Sequence, residues 1–244
     1  MGEHDRMIAV ILAAGLGKRL MPLTKDRPKT LLKIGETTLL EETIQKCLKN
    51  GINQFMVVYG YNGDKVIDEC RQVEAKYNVR IETVENEVYA TTNTSFSLYR
   101  ALEEMKNTDF IVINGDNVFD EKIIEDLLET GNTSIVVDNV KKLNEESFKI
   151  ITRNNVIEEM GKDIDIETSS GEFIGISKVL KEDYSVFKDL LSKIVEENPQ
   201  QYYDLAFKDI SRISKISFSY TNGLKWTEID DMNDWENAKT LFHD

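Results

Sequence analysis

Five cations gather within twelve positions of an otherwise acidic chain: Lys18, Arg19, Lys25, Arg27 and Lys29. They follow Gly15-Leu16-Gly17, which itself follows the apolar run of residues 7–14. Glycines let a backbone turn tightly and approach a ligand closely. Backbone N–H groups beside fixed cations suit a polyphosphate. Residues 7–32 therefore read as a buried strand feeding a loop that grips a nucleoside triphosphate. Pro22 and Pro28 stiffen that loop against its own charge repulsion.

Carboxylates elsewhere supply a complement. Asp116 follows Gly115 just past the apolar run 110–114, where a carboxylate suits a divalent metal at a sheet edge. An Asx-turn is the local alternative. Asp230 precedes the last helix, and either it or Asp231 suits the N-cap there. The two histidines, His4 and His243, lie one at each end of the chain. That leaves no base for a Ser-His-Asp or Cys-His mechanism, and no histidine-rich zinc site. Chemistry must run on carboxylates, cations and hydroxyls.

Elements that position these groups follow from the pattern. Short apolar runs at 7–14, 54–59, 79–84 and 110–114 alternate with helical periodicity at 39–49, 64–76 and through 105. Strand–helix alternation predicts a parallel sheet with crossover helices, and ligands beyond the carboxyl ends of the strands. Thr38 caps the first helix and Asn50-Gly51 ends it. A short strand and turn is expected at 33–38, a helix at 120–131 and a strand at 134–138. From residue 147 the pattern turns antiparallel, with a hairpin about Asn154-Asn155. A strand at 171–177, helices at 179–197 and 202–211, an edge strand at 216–220 and a helix at 232–242 complete the chain. The expected fold is α/β: a three-layer Rossmann-like mixed, mainly parallel sheet with a small antiparallel accessory lobe. Residues 1–244 read as one domain, with 1–138 mainly nucleotide-binding and 139–244 mainly acceptor-binding.

Bulk composition narrows the partners. The chain has 244 residues, 41% of them hydrophobic, and a formal net charge of −14. Such a surface repels nucleic acid and anionic membrane. There is no signal-peptide pattern and no apolar run near the ~18 residues a membrane helix needs. A cytoplasmic protein is expected, as monomer or homodimer. Cys47 and Cys70 fall in helices with no metal-type spacing and read as buried free thiols. Residues 1–6 read as a polar start-site extension.

The basic loop does not complete a known Gly-rich phosphate string. A dinucleotide fingerprint needs a third glycine where Leu20 stands, and no P-loop string occurs. What remains is Gly15, Gly17, Arg19, Pro22, Thr24, Pro28 and Lys29, which resembles the signature G-x-G-x-R-x-x-P-x-T-x-x-x-P-K of nucleotidyltransferases that make sugar nucleotides and CDP-alcohols. Gly115-Asp116 and Glu228-Ile229-Asp230 extend the resemblance along nearly the whole chain. Asn93 to Leu98 beside Tyr99-Arg100 look most like LicC-like choline-phosphate cytidylyltransferases, which are similar to aminoethylphosphonate and inositol-phosphate cytidylyltransferases. Met160-Gly161-Lys162-Asp163 with Gly171 and Phe173 is similar to the inositol-phosphate branch, so the acceptor stays open.

The resemblance implies attack by an acceptor phosphate or phosphonate on the α-phosphorus of a nucleoside triphosphate, with CTP favoured and pyrophosphate released. Arg19 and Lys29 would be the catalytic cations: Arg19 on the β- and γ-phosphates, Lys29 between the α-phosphate and the acceptor. Asp116 and Asp230 would hold Mg²⁺. Leu12, Ala13, Ala14, Gly15, Gly17, Lys18 and Gly115 would meet the nucleotide, joined by Tyr61, Asn93 and Thr94 near base and ribose. For a cationic acceptor, Glu172, Tyr203, Asp204 and Trp226, with Tyr202, offer carboxylates and aromatic faces; packing is the alternative for each aromatic ring. Glu172 stands between Gly171 and Phe173 in an apolar strand, where an unpaired charge is costly. Sugar-1-phosphate transfer with UTP or dTTP, and a non-catalytic nucleotide-binding module, are the other classes compatible with these residues.

Overall fold

A computed structural model describes residues 7–243 of the chain, and His4 and the side chain of His243 lie outside the described residues. The apolar run opens the fold as β1 (Ile8–Ala13). A short antiparallel pair, β2 (Lys33–Ile34) and β3 (Thr37–Thr38), leads into α1 (Leu39–Lys49). Thr38 caps α1 by accepting from the Glu41 N–H, as its sequence position predicts. Then follow β4 (Gln54–Tyr59), α2 (Gly63–Tyr77), β5 (Arg80–Glu85), α3 (Thr94–Glu104) and β6 (Phe110–Asn114).

The second half comprises β7 (Asn117–Phe119), α4 (Lys122–Leu128), β8 (Ser134–Asp138), β9 (Lys149–Arg153), β10 (Val156–Gly161) and β11 (Gly171–Val179). It ends with α5 (Tyr184–Glu197), α6 (Asp204–Ser211), β12 (Ser217–Tyr220), β13 (Trp226–Glu228) and α7 (Met232–His243).

Strands β5, β4, β1 and β6 run parallel in that spatial order, so β1 lies inside the sheet with both edges paired. β11 then adds antiparallel to β6 and carries β8 and, through its first two residues, the β9–β10 hairpin. The antiparallel section is thus continuous with the main sheet, since β11 pairs with β9 at its start and with β6 at its end, and its register with β8 shifts between Phe173 and Ser177. Asn154 and Asn155 turn the hairpin with φ of 53° and 61°, a double left-handed turn that suits asparagine.

Alternating side chains of β1 face two layers. Val10 and Leu12 pack among α3, α5 and α6, while Ala9, Ile11 and Ala13 pack among α1, α2 and α4. Cys47 and Cys70 lie free and buried in the second layer, and burial pushes both thiols up to about 12.

A third, smaller apolar cluster matters most for the site. It joins Leu20 and Leu32 of the basic loop to Val118, Ile229 and Ala238. Each of the first four stands within three residues of Arg19, Lys29, Asp116 or Asp230. β7 and β13 pair antiparallel, and Ile229 N–H donates to the Asp116 carbonyl at 3.0 Å. β7 is absent from the sequence expectation, because three residues give no readable period. The expected helix over 179–197 starts later, at Tyr184, because β11 keeps pairing with β6 as far as Val179.

Candidate active site

A cleft of about 670 Å³ opens at the carboxyl ends of β1, β5 and β6. Its walls include Leu12, Ala13, Ala14, Gly15, Gly17, Arg19, Lys29, Asn93, Thr94, Gly115, Asp116, Glu172, Asp204, Trp226 and Asp230. Two local features shape the end of the cleft beside the basic loop. Gly17 sits at φ 58°, and the Thr24 hydroxyl donates to its carbonyl at 2.8 Å, folding the basic loop back on itself. Gly115 N–H donates to the Leu12 carbonyl at 2.9 Å, and a Cβ there would stand 2.6 Å from that same oxygen. Glycine at 115 is what lets the ends of β1 and β6 close together.

Lys29 is the electrostatic centre. Its Nζ lies 2.6 Å from Asp116 Oδ2 and 3.1 Å from Asp230 Oδ1, and Arg19 reaches Asp230 Oδ2 at 3.0 Å. Burial alone would lower the Lys29 ammonium, but the two aspartates outweigh it and leave it above the usual lysine range. Burial pushes Asp230 up, yet Lys29 and Arg19 hold it below the usual carboxylate range. Asp231 takes the N-cap of α7 by accepting from Asn233 and Asp234 N–H groups, which frees Asp230 for the cleft. The Asp116 carboxylate likewise pairs with Lys29 rather than closing an Asx-turn.

Glu228 adds a third carboxyl that the sequence-derived set omits. Burial, then the charges of Asp116 and Asp230, push it up to about 8, against the pull of Lys141 and Lys29. Asp116, Asp230 and Glu228 thus bring three carboxyl groups to one end of the cleft, and carboxylate oxygens are the donors a hard divalent cation takes. Among the described residues no three acidic, histidine or cysteine side chains form a closed cage. Two convergent aspartates without a cage suit Mg²⁺, which takes one or two carboxylates and completes its shell with phosphate oxygens and water.

The other half of the cleft is mixed. Glu172 is 8% exposed and Asp204 is half-buried; burial pushes Asp204 up to about 7, opposed by its own N–H and by Lys162. Lys162 pairs with Glu146 at 3.1 Å and lies over the Tyr202 ring, 5.7 Å from its centroid. Lys141 lies over the Trp226 ring at 4.6 Å. Asn86 braces the wall beneath, donating to Thr92 and Ser97 at 3.0 Å each.

Three expected site residues are elsewhere. Tyr203 is fully buried against Phe173 and Phe207, with its hydroxyl beside Ser177; its neighbour Tyr202 lines the cleft instead. Lys18 is exposed and off the cleft wall, because the left-handed turn at Gly17 directs the loop so that Arg19 and Lys29 line it. Tyr61 is also off the wall; its hydroxyl donates to the Lys25 carbonyl and so props the basic loop from outside. Asn93 does both jobs, capping α3 and lining the cleft.

The profile of the family described as "Nucleotidyl transferase" matches residues 8–162, which hold the basic loop, Asp116 and Lys162. The chain belongs to this family. The nucleotidyltransferase is 39% identical over 111 residues to a choline-phosphate cytidylyltransferase of Streptococcus pneumoniae, covering 46% of this chain and 45% of that protein. It is 26% identical over 233 residues to the bifunctional IPC transferase and DIPP synthase of Aquifex aeolicus, covering 95% of this chain and 50% of that protein. The chain spans about half the length of the curated relatives it matches. The solved structure of the Streptococcus pneumoniae CTP:phosphocholine cytidylyltransferase superposes with a TM-score of 0.77 at 25% identity, covering 97% of this chain and 99% of that one. The chain is therefore a nucleotidyltransferase with cytidylyltransferases among its relatives, and its α/β fold is theirs. Among the described residues no helix is long and apolar enough to cross a membrane.

Proposed function

We propose that this chain condenses CTP with a small phosphorylated alcohol or phosphonate, phosphocholine-like, to give a CDP-alcohol and pyrophosphate. One observation carries the proposal: Lys29 joins Asp116 and Asp230 in a cleft whose other half presents carboxylates, cations and aromatic faces. An oxygen of the acceptor phosphate attacks the α-phosphorus, the bond from that phosphorus to the β-bridging oxygen breaks, and pyrophosphate leaves with the electron pair. The nucleophile is already an anion, so a site without a histidine base is sufficient. Catalysis reduces to positioning and charge neutralisation.

Lys29 brings two mutually repelling phosphates together. Arg19 fits the β- and γ-phosphates with its guanidinium fork. The backbone of Leu12 to Gly15 meets the base and ribose, with Asn93 and Thr94 facing them. Asp116 and Asp230 hold Mg²⁺, which when bound offsets charge on the phosphates. Lys162 is the cation offered to the acceptor phosphate, and Glu172 and Asp204 are offered to an acceptor ammonium. The cytoplasm, where nucleoside triphosphates are made, is the compartment this chemistry calls for.

An inositol- or sugar-phosphate acceptor is the second candidate, favoured by a specific observation. A quaternary ammonium is best held by open aromatic faces, yet Tyr203 is in the core and Lys141 covers Trp226. Pyrophosphate release measured across CTP, UTP and dTTP against phosphocholine, aminoethylphosphonate, inositol phosphate and glucose 1-phosphate separates the two. Release with CTP and the first two acceptors supports the proposal, and release confined to inositol or glucose phosphate transfers it to the second. A binding module releases none.

A further inference from the structure

Lys149 opens β9 with its side chain only 2% exposed. No carboxylate lies within ion-pair distance of it among the described residues. Its ammonium instead meets four backbone carbonyls: Lys162 at 2.7 Å, Ser147 at 3.1 Å, Glu145 at 3.3 Å and Asn144 at 3.5 Å. Burying a charge without a counter-charge is costly, and an apolar side chain of the same length fills such a space more cheaply. A buried polar hub that satisfies its partners instead fixes one geometry among them.

The partners it fixes belong to the cleft. Residues 144–147 form a tight turn in which Asn144 Oδ1 accepts from the Glu146 and Ser147 N–H groups. Asn144, Glu146 and Ser147 line the cleft from one side of this hub, and Lys162 lines it from the other. The Glu146–Lys162 ion pair spans the same two segments. Lys162 in turn lies over Tyr202 and bears on Asp204.

We propose that Lys149 is a positioning residue for the acceptor: its buried ammonium ties residues 144–147 to the Lys162 carbonyl and thereby sets where the Lys162 side chain enters the cleft. The proposal rests on the cleft being a transferase site with Lys162 facing the acceptor phosphate. Lys149 touches neither nucleotide nor acceptor. It acts through Lys162, so its removal is felt on the acceptor side alone.

Lys149→Met keeps the chain length and removes the donors. With phosphocholine as acceptor, its KM is expected to rise about tenfold to a hundredfold, the scale of a misplaced binding group. The Kd for CTP, from calorimetry, is expected to stay at the wild-type value. Added to Lys162→Met, the same substitution is expected to cost nothing further, since two residues acting as one unit are not additive. Should Lys149→Met fail to fold, Lys149→Gln keeps two donors and is expected to show the same one-sided KM effect in weaker form. An unchanged acceptor KM, an equal rise on the CTP side, or full additivity with Lys162→Met overturns the proposal. Amide hydrogen exchange gives a readout that needs no acceptor: acceleration in Lys149→Met confined to residues 144–147 and 162 supports the proposal, and unchanged exchange there overturns it. A wild-type chain that releases no pyrophosphate with any acceptor refutes the transferase function and the acceptor role of Lys149 with it, and the exchange result then decides only whether Lys149 ties residues 144–147 to Lys162.

Discussion

The ammonium of Lys29 stands 2.6 Å from the carboxylate of Asp116, and the same nitrogen reaches Asp230 at 3.1 Å. Lys29 comes from the loop after β1, Asp116 from the turn after β6, and Asp230 from the approach to α7. Three segments distant in sequence thus meet at one charged point. The apolar cluster of Leu20, Leu32, Val118 and Ile229 lies behind them and holds all three.

Replacing that ammonium tests the junction. Lys29→Met is expected to keep the wild-type circular dichroism spectrum and to lower turnover about 10²–10³-fold, the scale of losing one preorganised charge-stabilising group. Steady-state pyrophosphate release with the variant measures it. Near-wild-type turnover removes Lys29 from the chemistry.

Two glycines of the cleft are expected to fail differently. A methyl at Gly115 would meet the Leu12 carbonyl at 2.6 Å, which is backbone and cannot rotate away. Gly115→Ala is expected to cost about 1–3 kcal/mol of stability. At Gly15 nothing stands within 4 Å of the added methyl, and the residue lines the cleft. Gly15→Ala is expected to leave Tm unchanged and to weaken CTP binding. Thermal melts and CTP titrations of both variants check the contrast; equal Tm losses contradict it.

Asp204 carries a pH dependence of defined sign. Burial raises its carboxyl from 3.8 to about 7 in the folded chain. Between those values the folded state binds the extra proton, so this group makes stability fall as pH rises from about 4 to about 7. Asp204→Asn removes the penalty. The variant is expected to gain Tm over wild type at pH 8, with the gain shrinking as pH falls and vanishing below pH 4. A gain that is the same at pH 4 and pH 8 contradicts the account.

Much of this was legible in the sequence, for identifiable reasons. α1 and β4 match their expected bounds because a Thr cap, a Gly stop and a continuous apolar run are strong local signals. Asp116 was legible because a glycine and a strand end mark it, whereas Arg19 and Lys29 were singled out from five loop cations by the resemblance to the nucleotidyltransferase signature. Adjacent tyrosines were not: Tyr202 and Tyr203 carry the same local chemistry, and only the packing of α6 against Phe173 decides which one is buried. Glu146 and Lys141 sit in a loop without periodicity, and Glu228 owes its raised carboxyl to burial and to Asp116, distant in sequence. No single-segment pattern carries such information. Lys149 reads as an ordinary strand lysine until the turn at 144–147 and Lys162 are brought round it.

We propose that this cleft transfers a cytidylyl group. The most direct measurement of that transfer is pyrophosphate release from CTP with phosphocholine in the presence of Mg²⁺, run beside a chelated control and beside Asp116→Asn/Asp230→Asn. Stoichiometric pyrophosphate and CDP-choline are expected from the wild type, and neither from the control or the double variant. CTP that is bound but never cleaved, whichever phosphorylated acceptor is supplied, would contradict the account.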